Sequence, residues 1–294
     1  MLGISTCWWR TPEDLGERIL RDTRAMGLQG IELEYRIPES LYRRIRPRIK
    51  KNVKALSIHN FFPKPEDVPD RQGSGDLFLL SSPDEHERSQ AVKYTLRTME
   101  HAQDLEVKAV ILHLGRVDMP QLPVNAAKSN GAKVTADHKR ARQEAKAKHW
   151  DAVLSSLEVL NREAEKRGIY LGIENRYHFH EIPDYEEIGM ILSAFQGGRV
   201  RYWHDVGHAR AQENRGVVAQ KDLLKAYGHA MIGVHLHDAR GMDDHFAPGQ
   251  GEVDFEALAP FLKPVPIKIM EVHAKVARED LLQGIQYLKA LGLT

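Results

Sequence analysis

The feature that most constrains the fold is an alternation of short apolar runs with longer amphipathic segments along the whole chain. Runs of about four to eight apolar residues are typical of strands buried on both faces, and the segments between them have helical periodicity. We expect eight strands, near residues 2–7, 30–34, 54–59, 107–113, 168–174, 200–205, 231–237 and 267–272. The predicted helices lie near residues 12–26, 38–50, 85–105, 138–167, 184–195, 218–228, 254–262 and 277–291.

Eight strands that are each followed by a helix predict an α/β fold, a single (β/α)8 TIM barrel over residues 1–294. Such a barrel commonly needs ~250 residues, so the chain is long enough for one. An open doubly wound sheet is the alternative, but no glycine-rich phosphate loop follows the first predicted strand. We find no internal repeat, low-complexity tract or linker that would divide the chain.

Charge and cysteine content restrict the partners and the compartment. The formal net charge of +1 gives no strong field for polyanions, which weighs against a dedicated nucleic-acid binder. Cys7 is the only cysteine, so no disulfide can form within the chain, and we expect a cytoplasmic protein. We expect no signal peptide, and no uncharged apolar run reaches the ~18 residues of a membrane span. No pattern in the sequence indicates an oligomeric state.

Two segments are longer than ordinary loops. Residues 60–81 carry several prolines and glycines and should form a long loop over the third strand. Residues 116–137 lead into a helix with a basic entrance, formed by Lys139, Arg140, Arg142, Lys146 and Lys148. A solvated helix face is the ordinary interpretation of such a charge run, and a lid or phosphate-binding clamp is the alternative.

Carboxylates and imidazoles gather at the carboxyl ends of the predicted strands, the edge at which a parallel barrel builds its active site. The residues at or just after these strand ends are His59, His113, Glu174, Asp205, His208, His235, Asp243, His245 and Glu271. The four carboxylates among them could hardly stay ionised together without bound cations. The sequence therefore predicts a metal-dependent enzyme.

Other polar residues at the same edge have two interpretations each. His237 shares a strand face with His235 and competes with it as a ligand. Glu32 and Glu34 close the second strand, where they either face the barrel interior or belong to a solvated strand end.

The chain resembles the xylose-isomerase-like TIM-barrel superfamily, which includes endonuclease IV and many sugar isomerases and epimerases. The resemblance extends over essentially the whole chain. Its most specific segments are Asp205-Val206-Gly207-His208, Val234-His235-Leu236-His237-Asp238, and Asp243-Asp244-His245 with Pro248-Gly249-Gln250-Gly251. Leu112-His113-Leu114-Gly115 and Ile173-Glu174-Asn175 are looser matches.

The sugar-isomerase branch of this superfamily implies one divalent metal held by Glu174, Asp205, His235 and Glu271. His235 is preferred over His237 because it occupies the position of the family motif. The implied reaction is isomerisation or epimerisation of a small sugar or similar hydroxycarbonyl compound, by proton transfer through an enediolate. Glu174 and Glu271 would be the base and the acid, and His208 would contact a sugar hydroxyl.

The endonuclease IV branch implies up to three metals and hydrolysis of a phosphodiester such as abasic DNA. The additional ligands would be His59, His113, His208, Asp243 and His245, with Glu174 bridging two ions. Such donors are compatible with Zn, Mn, Co or Fe, of which we expect Zn or Mn, with one to three ions. We favour the isomerase or epimerase and keep a multinuclear zinc phosphoesterase acting on nucleic acid as the alternative. We rank two further classes below these, a lyase or dehydratase and a barrel that binds a ligand without turnover.

Overall fold

Eight parallel strands close into a barrel in the computed structural model, which describes residues 1–9, 17–66, 68–69, 74–123 and 131–294. The barrel strands, in chain order, are β1 (Leu2–Ser5), β2 (Gly30–Leu33), β3 (Lys54–His59), β4 (Ala109–Leu112), β5 (Tyr170–Glu174), β6 (Val200–Asp205), β7 (Met231–Leu236) and β8 (Ile267–Met270). Each strand pairs with the next, and β8 pairs with β1. The prediction of a (β/α)8 TIM barrel is confirmed.

Ten helices lie in the described part of the chain. They are α1 (Glu17–Ala25), α2 (Glu39–Asn52), α3 (Glu85–Asp104), α4 (Ala136–Ala145), α5 (Ala147–Arg167), α6 (Tyr185–Ala194), α7 (Val206–Asn214), α8 (Gln220–Tyr227), α9 (Phe255–Leu262) and α10 (Arg278–Ala290). The predicted start of the first helix falls outside the described residues. None of the described helices is long and apolar enough to cross a membrane.

Two helical predictions need correction. The segment predicted as one helix over 138–167 is two, α4 and α5, which meet at Lys146. Arg142 and Lys146, four residues apart on the same side of the chain, both reach Glu187. The helix α7 was not predicted, since Gly207 in its first turn weakens the local helical preference. Asp205 begins α7 by accepting a hydrogen bond from the backbone N–H of His208 at 2.7 Å.

An apolar layer fills the lower barrel interior. It consists of Leu56, Ala109, Ile111, Trp203, Ile267 and Ile269. Trp203 is fully buried and lies against Gly233, where a Cβ atom would lie 2.0 Å from its ring. The His235 ring stacks edge-on above Trp203, with ring centroids 5.1 Å apart. This apolar floor leaves the polar residues of the strand ends as the next layer toward the mouth.

Two small two-stranded sheets and the long loops surround the mouth. Gly115–Arg116 pairs with Glu181–Ile182, and Asp238–Arg240 pairs with Asp243–Phe246, both antiparallel. The described residues of 60–81 form no helix or barrel strand, as predicted, and the same holds for 117–123 and 131–135. Phe61 and Phe62, at the start of the first loop, are buried in the hydrophobic core.

Candidate metal centre

Four side chains from four strand ends converge at the centre of the mouth. Glu174 ends β5, Asp205 ends β6, His235 lies near the end of β7, and Glu271 directly follows β8. One donor atom from each lies within 4.8 Å of the donor atoms of the other three. Glu271 is 6% exposed and the other three are fully buried. The structure thus brings together the four residues that were predicted to hold one metal.

Hydrogen bonds hold the His235 ring with one nitrogen toward this cluster. Its Nδ1 lies 2.7 Å from Glu174 Oε1 and 3.0 Å from Glu271 Oε2. Its Nε2 lies 3.2 Å from both carboxylate oxygens of Glu32, and the Ser57 hydroxyl donates to Glu32 at 2.7 Å. A carboxylate behind the distal nitrogen is the usual support of a metal-binding histidine.

Glu32 therefore faces the barrel interior and is completely buried, so the interpretation as a solvated strand end is wrong for it. Glu34 is buried too, and accepts a hydrogen bond from Arg36 at 3.0 Å. The sequence placed both glutamates on one strand face but contained no signal for the His235 contact, because that contact joins residues 203 positions apart.

His237 supports Asp205 and does not occupy the cluster. Its Nδ1 accepts the backbone N–H of His245 at 2.9 Å, so the neutral ring carries its proton on Nε2. That Nε2 lies 3.0 Å from both oxygens of Asp205 and donates to them. Of the two candidate histidines, His235 therefore lies in the cluster and His237 holds Asp205 in place.

The electrostatics of the cluster follow from its burial and its close charges. Burial alone would lower the pKa of His235, but the carboxylates of Glu271 and Glu32 outweigh it and raise that pKa well above its usual range. Burial raises the pKa of Glu174, yet the imidazoles of His235 and His113 hold it well below the ordinary value. Positive charge at the centre thus keeps the carboxylates ionised, and a bound cation would do the same.

A second group adjoins the first through Glu174. His113 Nε2 lies 2.8 Å from Glu174 Oε2, and His59 Nε2 lies 3.5 Å from the same oxygen. His113 Nδ1 contacts the carboxylate of Asp76 at 3.0 Å. Asp76 comes from the long loop after β3 and was not predicted, because an irregular segment gives no periodicity from which its direction can be read.

The predicted third group of His208, Asp243 and His245 is not brought together, and His245 instead lies in two other potential metal groups, one with His237 and Glu271 and one with Asp244 and His273. Asp243 is half-exposed and lies 3.6 Å from Lys275 Nζ, whereas Asp244 lies 2.8 Å from His245 Nδ1 and 4.0 Å from His208 Nε2. In a regular strand residues 243 and 245 would share a face. His245 has a positive φ of 60°, which breaks the alternation and places Asp244 beside His245 in the position expected for Asp243.

The basic entrance of α4 and α5 divides into two parts. Lys139, Arg140 and Lys148 are exposed, as a solvated face requires. Arg142 is buried and binds both carboxylate oxygens of Glu187, at 2.7 and 2.8 Å. Neither a solvated face nor a phosphate clamp describes Arg142, which instead ties α4 to α6.

Comparisons with known proteins agree on the architecture. A family model described as Xylose isomerase-like TIM barrel matches residues 20–291. The fold is similar to 3-keto-D-glucoside 4-epimerase from E. coli, with a TM-score of 0.70, 17% identity, and 98% of each chain covered. It is also similar to D-psicose 3-epimerase with D-tagatose from Clostridium cellulolyticum H10, with a TM-score of 0.67, 14% identity, and 99% of this chain and 97% of that chain covered.

A third similar structure is a protein from Thermus thermophilus soaked with ZnCl2, with a TM-score of 0.62 and 21% identity. The alignment covers 99% of this chain and 97% of that one. No curated protein matches the chain at a significant level. At these identities the likeness concerns the fold.

Proposed function

Because the chain belongs to the xylose isomerase-like TIM-barrel family, we propose that it is a divalent-metal-dependent isomerase or epimerase of a small sugar or sugar-like hydroxycarbonyl compound. The observation that carries this proposal is the buried cluster of Glu174, Asp205, His235 and Glu271 at the barrel mouth. The names of the similar epimerase structures support the same reaction class.

A divalent cation fits the cluster chemically. Three buried carboxylates and one imidazole direct donor atoms at a common centre, and Glu32, at Nε2 of His235, holds its Nδ1 on that side, where a cation would take the place of the Nδ1 proton. Mixed oxygen and nitrogen donors suit Mn or Zn, the ions that we propose. When bound, the cation would polarise a substrate carbonyl and the adjacent hydroxyl, and so acidify the proton on the hydroxyl-bearing carbon.

Glu174 and Glu271 are the proposed base and acid. They come from different strands, and burial shields both carboxylates from water. In an epimerisation, one carboxylate takes the carbon-bound proton as the C–H bond breaks, and the other returns a proton to the opposite face of that carbon. The substrate therefore passes through an enediolate, gains and loses no atoms, and needs no oxidant.

His208 is proposed to contact a substrate hydroxyl. Its Nδ1 lies 3.1 Å from the backbone carbonyl of Asn175, to which it donates, so its Nε2 is free to accept a hydrogen bond. The epimerase names favour a small-molecule sugar as the partner. The single free cysteine, Cys7, remains the basis for proposing a cytoplasmic location.

A metal-dependent phosphodiester hydrolase is the second candidate, because His59, His113 and Glu174 form a further potential metal group. Two placements weigh against it. Asp243, a predicted ligand of the third ion, lies beside Lys275, and Arg142, the buried member of the basic stretch, is bound to Glu187. Duplex binding normally depends on several free lysines and arginines around the site.

The discriminating experiment uses protein loaded with Mn²⁺ and incubated in D2O with D-tagatose and D-psicose. We expect an epimerised product that carries deuterium at the inverted carbon, and no such product from Asp205→Asn. An abasic DNA duplex is assayed in parallel. Nicking of that duplex without deuterium incorporation into either sugar would overturn the proposal in favour of the hydrolase.

A further inference from the structure

Arg176 lies directly beside the metal cluster and has no part in the reaction described above. It follows Glu174 by two residues at the end of β5 and is 4% exposed. Its Nη2 donates to Asp76 at 2.7 Å and to Glu181 at 2.9 Å. A single nitrogen of the guanidinium thus makes both of its hydrogen bonds to carboxylates.

The other side of the guanidinium is buried without an acceptor. Among the described residues, neither Nε nor Nη1 of Arg176 has a hydrogen-bond partner. The Nη1 atom lies 3.9 Å from Glu174 Oε2, close to the cluster but beyond hydrogen-bond distance. A buried donor without an acceptor is costly, so a donor in this position is expected to find its partner in a bound molecule.

We propose that Nη1 of Arg176 donates to an oxygen of the substrate beside Glu174, and that this oxygen is the uncharged hydroxyl or carbonyl of a neutral sugar. This inference deepens the proposed function and rests on it for the substrate class. Sugar acids and sugar phosphates would then be poor ligands at this end of the site.

Charge explains why the oxygen should be neutral. Six carboxylates lie in or next to the site: Glu32, Asp76, Glu174, Glu181, Asp205 and Glu271. A divalent cation and Arg176 together supply three positive charges, and the site stays negative even if one imidazole is protonated. An anionic substrate group at Nη1 would be surrounded by the carboxylates that already neutralise Arg176, and like charges repel strongly in a buried site.

The loop after β3 holds this arrangement in place. Gly75 packs so closely on the site that a Cβ atom there would lie 2.7 Å from His113 Nδ1 and 2.9 Å from His59 Cε1. Asp76 next to it bridges His113 and Arg176. Only a guanidinium can give one nitrogen to two carboxylates and keep another directed at Glu174, so lysine should not replace it.

The test measures binding and turnover separately. Calorimetric titrations of the Mn²⁺-loaded protein use D-tagatose, D-psicose, D-tagatose 6-phosphate and D-tagaturonate as probes. We expect the wild type to bind a neutral ketose at least tenfold more tightly than either anionic sugar. Arg176→Gln and Arg176→Lys should each weaken neutral-ketose binding at least tenfold without changing the Mn²⁺ affinity. The matched control is Arg201→Gln, at the start of β6 and stacked on Tyr170, which should bind like the wild type.

Asp76→Asn provides a second variant in case Arg176 is needed for folding. It removes one negative charge and keeps an acceptor for Arg176. The ratio of the Kd for an anionic sugar to the Kd for a neutral ketose should therefore fall about tenfold. An unchanged preference in Asp76→Asn would overturn the charge argument. Wild-type protein that binds no neutral ketose, or prefers an anionic one, would overturn the inference, and so would unchanged ketose binding in a folded Arg176→Gln.

These outcomes separate the inference from the proposed function. Ketose binding that depends on Arg176 but leads to no epimerisation would remove the proposed reaction and leave the binding role. Epimerisation with an unchanged KM in Arg176→Gln would leave the reaction and remove the binding role.

Discussion

Replacement of Glu32 by glutamine tests whether this buried carboxylate supports the proposed metal site. Two donors point at the Glu32 carboxylate, the Ser57 hydroxyl at 2.7 Å and His235 Nε2 at 3.2 Å. A glutamine amide has one acceptor oxygen for His235 Nε2 and an NH2 group that can donate to the Ser57 hydroxyl, so the hydrogen bonds can be kept but the negative charge beside the imidazole is lost. Loss of that charge makes the His235 ring less basic and holds it less firmly, so its Nδ1 should bind a cation more weakly.

The expected effect of Glu32→Gln is a loss of metal affinity. Removing the partner behind a metal-binding histidine lowers metal affinity about 10- to 100-fold, which corresponds to about 1.4–2.7 kcal/mol. The lower part of this range is expected here, because glutamine keeps one acceptor oxygen and removes only the charge of the fully buried Glu32. Ser57→Ala removes only one neutral donor from the same carboxylate and should lower the affinity by less than tenfold.

Mn²⁺ binding to the chelator-treated protein, measured by calorimetry, checks this prediction, with circular dichroism to confirm that each variant is folded. The control is Glu39→Gln, which removes another buried carboxylate, held by Arg43 at 2.8 Å and Arg97 at 2.7 Å on the outer helices. That variant should lose stability and keep its Mn²⁺ affinity. A folded Glu32→Gln protein with a Kd within about twofold of the wild type would refute the reasoning.

Three further predictions concern catalysis, stability and pH. Glu174→Gln should abolish turnover and leave the urea unfolding curve nearly unchanged, and retained turnover in that variant would contradict the assigned role. Arg142→Leu should lower the free energy of unfolding by about 3 kcal/mol, near the low end for a broken buried ion pair because Lys146 Nζ remains 3.3 Å from Glu187. Arg140→Leu, on the exposed face, should lower the free energy of unfolding by less than about 0.5 kcal/mol. Equal losses in the two variants would contradict the stabilising role of the buried Arg142–Glu187 pair. Burial raises the pKa of Glu187 but the bonds from Arg142 lower it below its unfolded value of ~4.3, so their stabilisation is present above that pH and lost as the pH falls. The difference in free energy of unfolding between wild type and Arg142→Leu should therefore become smaller below pH ~4.3, and a difference that grows there would contradict this prediction.

The barrel was predictable because its strands are buried on both faces and are therefore mainly apolar, with polar residues gathered toward their ends. The predictions for β3 and β6 coincide with the observed bounds, and those for the other strands extend one or two residues too far. For the candidate metal cluster, the strand ends gave nine candidate residues, and the resemblance to the sugar-isomerase branch singled out the four that converge. All four residues lie at strand ends, and closure of the barrel brings strand ends together whatever their separation in the chain.

The unpredicted features depend on local geometry or on long-range contacts. Asp243 was expected at the site because it follows the seventh strand and the resemblance to endonuclease IV implies a ligand there, but it lies beside Lys275, next to the positive φ of His245. Asp76 reaches the site from a loop without periodicity, and the role of Glu32 depends on a contact with His235 across the barrel. Patterns in sequence report which face of a regular element a side chain takes, and they carry no information on such departures.

The most direct test of the metal centre is the divalent-metal content of protein purified without chelator, measured by mass spectrometry for the wild type and for Asp205→Asn. One Mn or Zn ion per wild-type chain and none in folded Asp205→Asn is the predicted result. A wild-type chain that takes up no divalent ion, or an Asp205→Asn chain that keeps its full complement, would contradict the account. Three ions per chain would contradict the single-ion centre and favour the hydrolase.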